Sequence, residues 1–133
     1  MLVVDASVAG AWLLDDERDL RADQALARLR ATGGVVPEIC HLEVHNTLLV
    51  AERRGRLQPA DTDRSLSAWR SLPLTTVPTS RFDAVLGLAR RRRLTFYDAI
   101  YLELAKHAGA TLATLDRALL QAASAERVPT IET

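Results

Sequence analysis

The sequence predicts an α/β domain in which a short parallel sheet lies between layers of helices. Three observations predict it. Short, largely apolar runs recur at 2–4, 35–36, 74–77 and 111–114. Segments with apolar residues at helical spacing separate these runs. The runs also lack the strict apolar–polar alternation of a strand with one wet face, as expected when helices cover both sides of a sheet.

The elements follow in order. Residues 2–4 read as a buried strand, and Asp5-Ala6-Ser7 as the cap of a short helix over 6–14. Leu20, Ala22, Ala25, Leu26 and Leu29 define one face of a helix over 18–30, which Gly33-Gly34 ends. After a second strand at 35–36, Pro37 opens a helix over 38–54 that stops at Gly55. Pro59 starts another helix, over 59–70. A third strand at 74–77 lies between Pro73 and Pro78. Helices over 80–92 and 95–107 precede a fourth strand at 111–114, a helix over 116–123 and a last edge strand at 128–131.

No repeat, linker or low-complexity stretch divides the 133 residues, so residues 1–133 are read as a single domain. A chain of this size buries roughly two thirds of its unfolded surface and needs no disulfide or structural metal. Aromatics make up 5%, so the core falls to Leu, Val, Ile and Ala. The formal net charge is zero, which excludes a global field that draws in nucleic acid. Any such attraction must come from local arginines or bound metal; Lys106 is the only lysine. Cys40 is the only cysteine, which excludes an intramolecular disulfide or a thiolate zinc cluster and fits a reducing cytoplasm. The start has no basic segment before its apolar run, so no signal peptide is expected, and no apolar stretch approaches the ~20 residues that cross a bilayer.

Four carboxylates stand out. Open α/β sheets bind ligands beyond the carboxyl ends of their strands. Asp5 ends the first strand, Asp116 follows the fourth, and Asp98 opens the helix leading into the fourth. Glu43 shares the stripe Ile39, Leu42, Glu43, Asn46, Val50 of its helix, which would turn a carboxylate and an amide toward the core. A competing stripe, Cys40, Val44, Thr47, Leu48 and Ala51, would leave Glu43 more exposed. Each aspartate also has a local reading, with Asp5 and Asp116 as helix caps and Asp98 as the partner of Thr95 in a capping box.

These residues resemble a known family. Val3-Val4-Asp5-Ala6-Ser7 is similar to the opening of PIN domains, in particular the VapC toxins of bacterial toxin–antitoxin pairs. Pro37 through Leu48 resembles their second motif, E-x-x-N on a proline-initiated helix. Tyr97-Asp98-Ala99-Ile100-Tyr101 resembles the third, and Leu112-Ala113-Thr114-Leu115-Asp116 the fourth. The resemblance implies a three-layer α/β/α PIN fold with a short central parallel sheet. It implies Asp5, Glu43, Asp98 and Asp116 as the acidic positions, with Ser7, Asn46 and Thr114 as polar supports around them.

It further implies a Mg²⁺- or Mn²⁺-dependent endoribonuclease, the toxin of a type II pair, which hydrolyses RNA (tRNA or rRNA) with a metal-activated water. Carboxylates are hard donors suited to these ions. Asp5 and Asp98 are expected as principal ligands, completed by Glu43 and Asp116. The expected partners are the RNA substrate, a VapB-type antitoxin over the acidic pocket and a second copy in a homodimer, in the cytoplasm and away from membranes. The alternative is a PIN-like scaffold without activity.

Other signals are weaker. Arg90 to Arg93 and the cluster Arg53, Arg54, Arg56 either grip phosphate or serve as solvated helix ends. His41 and His45 have zinc-compatible spacing, but Glu43 is one place too late for H-E-x-x-H, and surface histidines are expected. Trp12 and Trp69 read as core or interface residues. A receiver domain would need an acidic pair beside Asp5 and a lysine late in the chain; a haloacid-type phosphatase would need an aspartate where Ser7 stands.

Overall fold

The computed structural model describes residues 1–131, with Glu17 described by its backbone alone. Strands β1 (Leu2–Val4), β2 (Gly34–Pro37), β3 (Leu74–Val77) and β4 (Thr111–Ala113) form one parallel sheet in the order β3-β2-β1-β4. The helices are α1 (Ala6–Leu13), α2 (Leu20–Thr32), α3 (Glu38–Arg53), α4 (Pro59–Arg70), α5 (Phe82–Arg92), α6 (Phe96–Ala108) and α7 (Arg117–Ala125), with a 3₁₀ turn at Asp15–Glu17. Helix α6 packs against β1, β2 and β4 and carries α5 and α7, while α2 packs against β1 and α3 against α1 and β2. The result is the expected three-layer α/β/α arrangement.

Local chemistry sets most boundaries. Asp5, Asp19, Thr95 and Asp116 each accept a backbone N–H as the N-cap of α1, α2, α6 and α7. Gln58 and Asp61 cap α4 reciprocally around Pro59. Val3, Val4, Val36, Leu112 and Ala113 are fully buried, as a sheet covered on both faces requires.

Two expectations change. Segment 128–131 is no strand; it touches the sheet by one parallel bridge, Leu112 with Thr130. The Leu112 amide donates to the Pro129 carbonyl at 2.8 Å, but Pro129 has no N–H to return, so the ladder stops there. On α3, the buried stripe is Cys40, Val44, Leu48 and Ala51, while Leu42 is 70% exposed and Asn46 is exposed. This rotation buries only apolar groups and spares the core an amide and a carboxylate. Glu43 then sits half-buried on the flank of the buried stripe.

The aromatic residues tie helices together. Trp12 donates from Nε1 to the Ala22 carbonyl at 2.7 Å, linking α1 to α2. Trp69, buried on α4, donates from Nε1 to Nδ1 of His41 at 3.1 Å. Indole only donates, so Nδ1 accepts and Nε2 of His41 carries the hydrogen directed at Thr76 Oγ1, 2.7 Å away. His45 is exposed, its Nδ1 2.6 Å from the His41 carbonyl oxygen. Among the described residues, no helix is long and apolar enough to cross a membrane.

Gly34 opens β2 where α2 and β1 approach most closely. A Cβ there would stand 2.8 Å from the Leu2 carbonyl oxygen and 2.8 Å from Leu29 Cδ1. Gly34→Ala is therefore expected to destabilise the protein by about 1–3 kcal/mol through overpacking. A chemical-denaturation midpoint equal to the parent's would show that the contact relaxes freely.

Candidate active site

The chain builds β1, β2 and β3 outward in one direction and then places β4 on the opposite side of β1. The carboxyl ends of β1 and β4 thus flank a topological switch point, where open sheets leave a crevice. Asp5 lies at the end of β1 and is 5% exposed. Its Oδ1 accepts from Ser7 Oγ at 2.6 Å and from the Val8 amide at 3.1 Å. Its Oδ2 accepts from Thr114 Oγ1, which lies just beyond β4. Ser7 Oγ in turn accepts the Leu115 amide at 2.9 Å, and Thr114 Oγ1 the Asp116 amide at 3.0 Å. One carboxylate and two hydroxyls therefore pin the two strand ends together. Even so, burial raises the Asp5 carboxyl to about 6, against the lowering effect of its hydrogen bonds to Ser7, Thr114 and the Val8 amide.

Asp116 caps α7 through Oδ1, which accepts the Leu119 amide at 2.9 Å, and its side chain is otherwise exposed. Asp98 stands half-buried in the first turn of α6, its amide held by Thr95 Oγ1 at 3.1 Å. Its carboxyl is raised by burial first and by the negative charge of Asp116 second, while the Thr95 hydroxyl pulls the other way. The two aspartates therefore lie within electrostatic reach of each other.

Glu43 comes in from α3. Tyr101, one turn after Asp98 on α6, donates its hydroxyl to Glu43 Oε1 at 2.6 Å. Burial above all holds the Tyr101 phenol far above its usual range, so it stays a neutral donor. Cys40 lies between the acidic groups. Its buried thiol is pushed up to about 12, by desolvation and then by the charges of Asp5 and Glu43, and it points at the Val4 carbonyl at 3.7 Å. The thiol is an inert packing group there.

The structure thus joins Asp5, Ser7, Thr114 and Asp116 in one network, sets Asp98 against Asp116, and ties Glu43 to the helix that bears Asp98. Asn46 is exposed, one turn past Glu43, and makes no hydrogen bond to a carboxylate among the described residues. Reading the sequence missed Tyr101 as the partner of Glu43, although its place three residues after Asp98 puts both on one face of α6.

Such an arrangement favours a cation. Asp5 resists ionising in its buried position, and Asp98 resists it beside Asp116; positive charge between them would relieve both. The donors are all hard carboxylate oxygens. Among the described residues, no three His, Cys, Asp or Glu side chains close around a point tightly enough to hold a metal alone. The donor set fits an open site, in which waters and a substrate phosphate complete the shell of an ion such as Mg²⁺.

Two expectations follow. Folded Asp5 holds its proton more tightly than the unfolded chain, whose carboxyl titrates near 3.8. Without metal, the stability it contributes is full below about pH 4 and is lost as pH rises through about 6, on the order of 3 kcal/mol. Asp5→Asn should flatten this slope in denaturation measured from pH 4 to 7 in chelator; parallel profiles for the two proteins would refute the assignment. Tyr101→Phe should cost about 1 kcal/mol, and a double-mutant cycle with Glu43→Ala should give a coupling of roughly 0.5–3 kcal/mol. Additive losses would mean the hydroxyl contact carries no energy.

A family model described as the PIN domain matches residues 2–125. The chain is 35% identical over 127 residues to Ribonuclease VapC9 of Mycobacterium tuberculosis, spanning 95% of this chain and 94% of that protein. It is 32% identical over 136 residues to Ribonuclease VapC3 of Pyrobaculum aerophilum, spanning 99% of this chain and 98% of that one. Its backbone matches the crystal structure of PAE2754 from Pyrobaculum aerophilum with a TM-score of 0.76 at 28% identity, over 98% of this chain and 83% of that chain. The parallel sheet, the carboxylates at its switch point and a match along almost the whole sequence place this chain in the PIN-domain family.

Proposed function

We propose that this protein is a metal-dependent endoribonuclease, the toxin of a type II toxin–antitoxin pair, which hydrolyses phosphodiester bonds of RNA such as tRNA or rRNA. The observation that carries the reading is Asp5, a buried carboxyl raised to about 6 at the switch point and held by hydroxyls from both flanking segments. Capping α1 and joining the strand ends do not remove the cost of ionising a carboxyl buried there; a bound cation would. The ribonuclease names of relatives similar along nearly the full chain support the same reading.

In this reading Asp5 and Asp98 hold Mg²⁺ or Mn²⁺, with Glu43 and Asp116 completing the pocket directly or through water. When bound, such an ion lowers the pKa of water, orients the phosphate and offsets the charge that develops on it. Ser7 and Thr114 fix both oxygens of Asp5, and Tyr101 fixes one oxygen of Glu43. Asn46, exposed one turn after Glu43 on α3, is assigned as a polar support for the Glu43 carboxylate. We further place the protein in the cytoplasm, in keeping with its single buried thiol. Its partners in this reading are a second copy of the chain and a VapB-type antitoxin lying over the acidic pocket.

The test is cleavage of linear and circular single-stranded RNA. With Mg²⁺ the parent should cut both, chelator should abolish cutting, and Asp5→Asn should slow it by on the order of 10²–10³-fold. Equal rates for Asp5→Asn would end the mechanism. Cutting of linear RNA alone would mean an exonuclease, and no metal-dependent cutting of any RNA would leave an inactive interaction module.

A further inference from the structure

We propose that Arg93, with Arg92 beside it, forms a phosphate-holding strip along α7 that leads single-stranded RNA into the carboxylate crevice. The inference rests on the ribonuclease reading above and adds to it a route for the substrate.

The strip is placed by its two ends. Arg91 and Arg92 bind Glu126, just past the C-terminal end of α7. Asp98 lies close enough to Asp116, the N-cap of α7, to feel its charge. The chain between Arg91 and Asp98 therefore runs back along α7, a helix about 13 Å long. Between the two lies a groove of about 270 Å³, with Arg91, Arg92 and Arg93 on one side and Ala118, Gln121, Ala122 and Ala125 on the other. Ala118 is the second residue after Asp116, so the groove opens beside the crevice. The three alanines keep the groove shallow and open, and Gln121 adds an amide to its α7 side.

Charge and geometry both suit phosphate. The Glu126 side chain is 4% exposed and receives Arg91, Arg92 and Lys106, so a single carboxylate faces three cations and the surface stays positive. Arg92 donates only its Nε to Glu126, which steadies the guanidinium and leaves both amino groups available. Arg93 is exposed and, among the described residues, in no ion pair.

Its backbone is the sharper observation. Arg93 is the C-cap of α5 with φ 54° and ψ 43°, the left-handed region where glycine is at home and a Cβ is disfavoured. Arg90, Arg91 and Arg92 already supply cations to the last turn of α5, so the helix dipole does not need a fourth. A side chain carried at a position whose backbone prefers none points to a use outside the fold. The chain as a whole is neutral, so attraction for a polyanion has to be local, and this strip supplies it next to the acidic site.

Arg93→Gly separates function from folding, because it removes the side chain and relieves the backbone together. Initial rates on a single-stranded RNA that the parent cuts, with Mg²⁺ present, should show KM raised about fivefold at ~0.1 M salt with kcat unchanged. The plot of log(kcat/KM) against log salt should become shallower by about 0.7, the value for one lost phosphate contact on a single strand. The melting temperature should be equal to the parent's or higher, and Arg93→Lys should keep the parent's salt slope. A parent that cuts RNA while Arg93→Gly shows the same KM and salt slope overturns this inference alone. A parent that neither binds nor cuts RNA overturns the inference and the ribonuclease reading together.

Discussion

The structure turns on one buried carboxylate. Asp5 sits where the central strand ends, buried and anchored through both oxygens. Its partners come from α1 on one side and from the turn after β4, more than a hundred residues along the chain, on the other. These bonds fix the mouth of the crevice. They offset only part of the cost of removing a charge from water, and the upward shift of the group records the remainder. Such a site is at rest when it holds a proton or, in the proposed reading, when a cation lies against it.

The helices reinforce it. Asp5 and Asp116 cap α1 and α7, and Asp98 lies in the first turn of α6, so three helix N-termini accompany the carboxylates. The positive ends of the helix dipoles and the free amides temper the repulsion among the acids. Capping and ligation are compatible because a carboxylate has two oxygens. Asp116 uses Oδ1 for the cap, and in the proposed reading Oδ2 serves the cation.

Much of this was legible in the sequence. Strands at 74–77 and a helix at 59–70 were marked by flanking prolines and came out with those limits. The three aspartates could be placed at strand ends and helix starts from their order alone. Glu43 was harder, because periodicity says which residues share a face without saying how far the face is rotated. Two stripes on α3 one residue apart competed, and the one without a carboxylate or amide was buried, with its Thr47 left partly exposed. The Glu43–Tyr101 bond spans 58 positions and joins two helices, and no local pattern encodes it. The gathering of Arg91, Arg92 and Lys106 on Glu126 was hidden for the same reason. The tail at 128–131 was misread because its apolar spacing suggested a strand while Pro129 removed the amide that a strand would need.

The Glu126 cluster has a mechanical consequence. Arg91 foremost, with Lys106 and Arg92, keeps this carboxylate ionised well below the usual range and clamps the trailing end of α7 to α5 and α6. The leading end carries Asp116. Helix α7 is thus a lever about 13 Å long, hinged on the Glu126 ion cluster, and a tilt of about 4° would move its tip by about 1 Å. Displacements of that size are enough to spoil the alignment of reacting groups. The position of Asp116 is in this way tied to an ion cluster one helix length away, whose carboxylate is sheltered while its cations remain open to solvent.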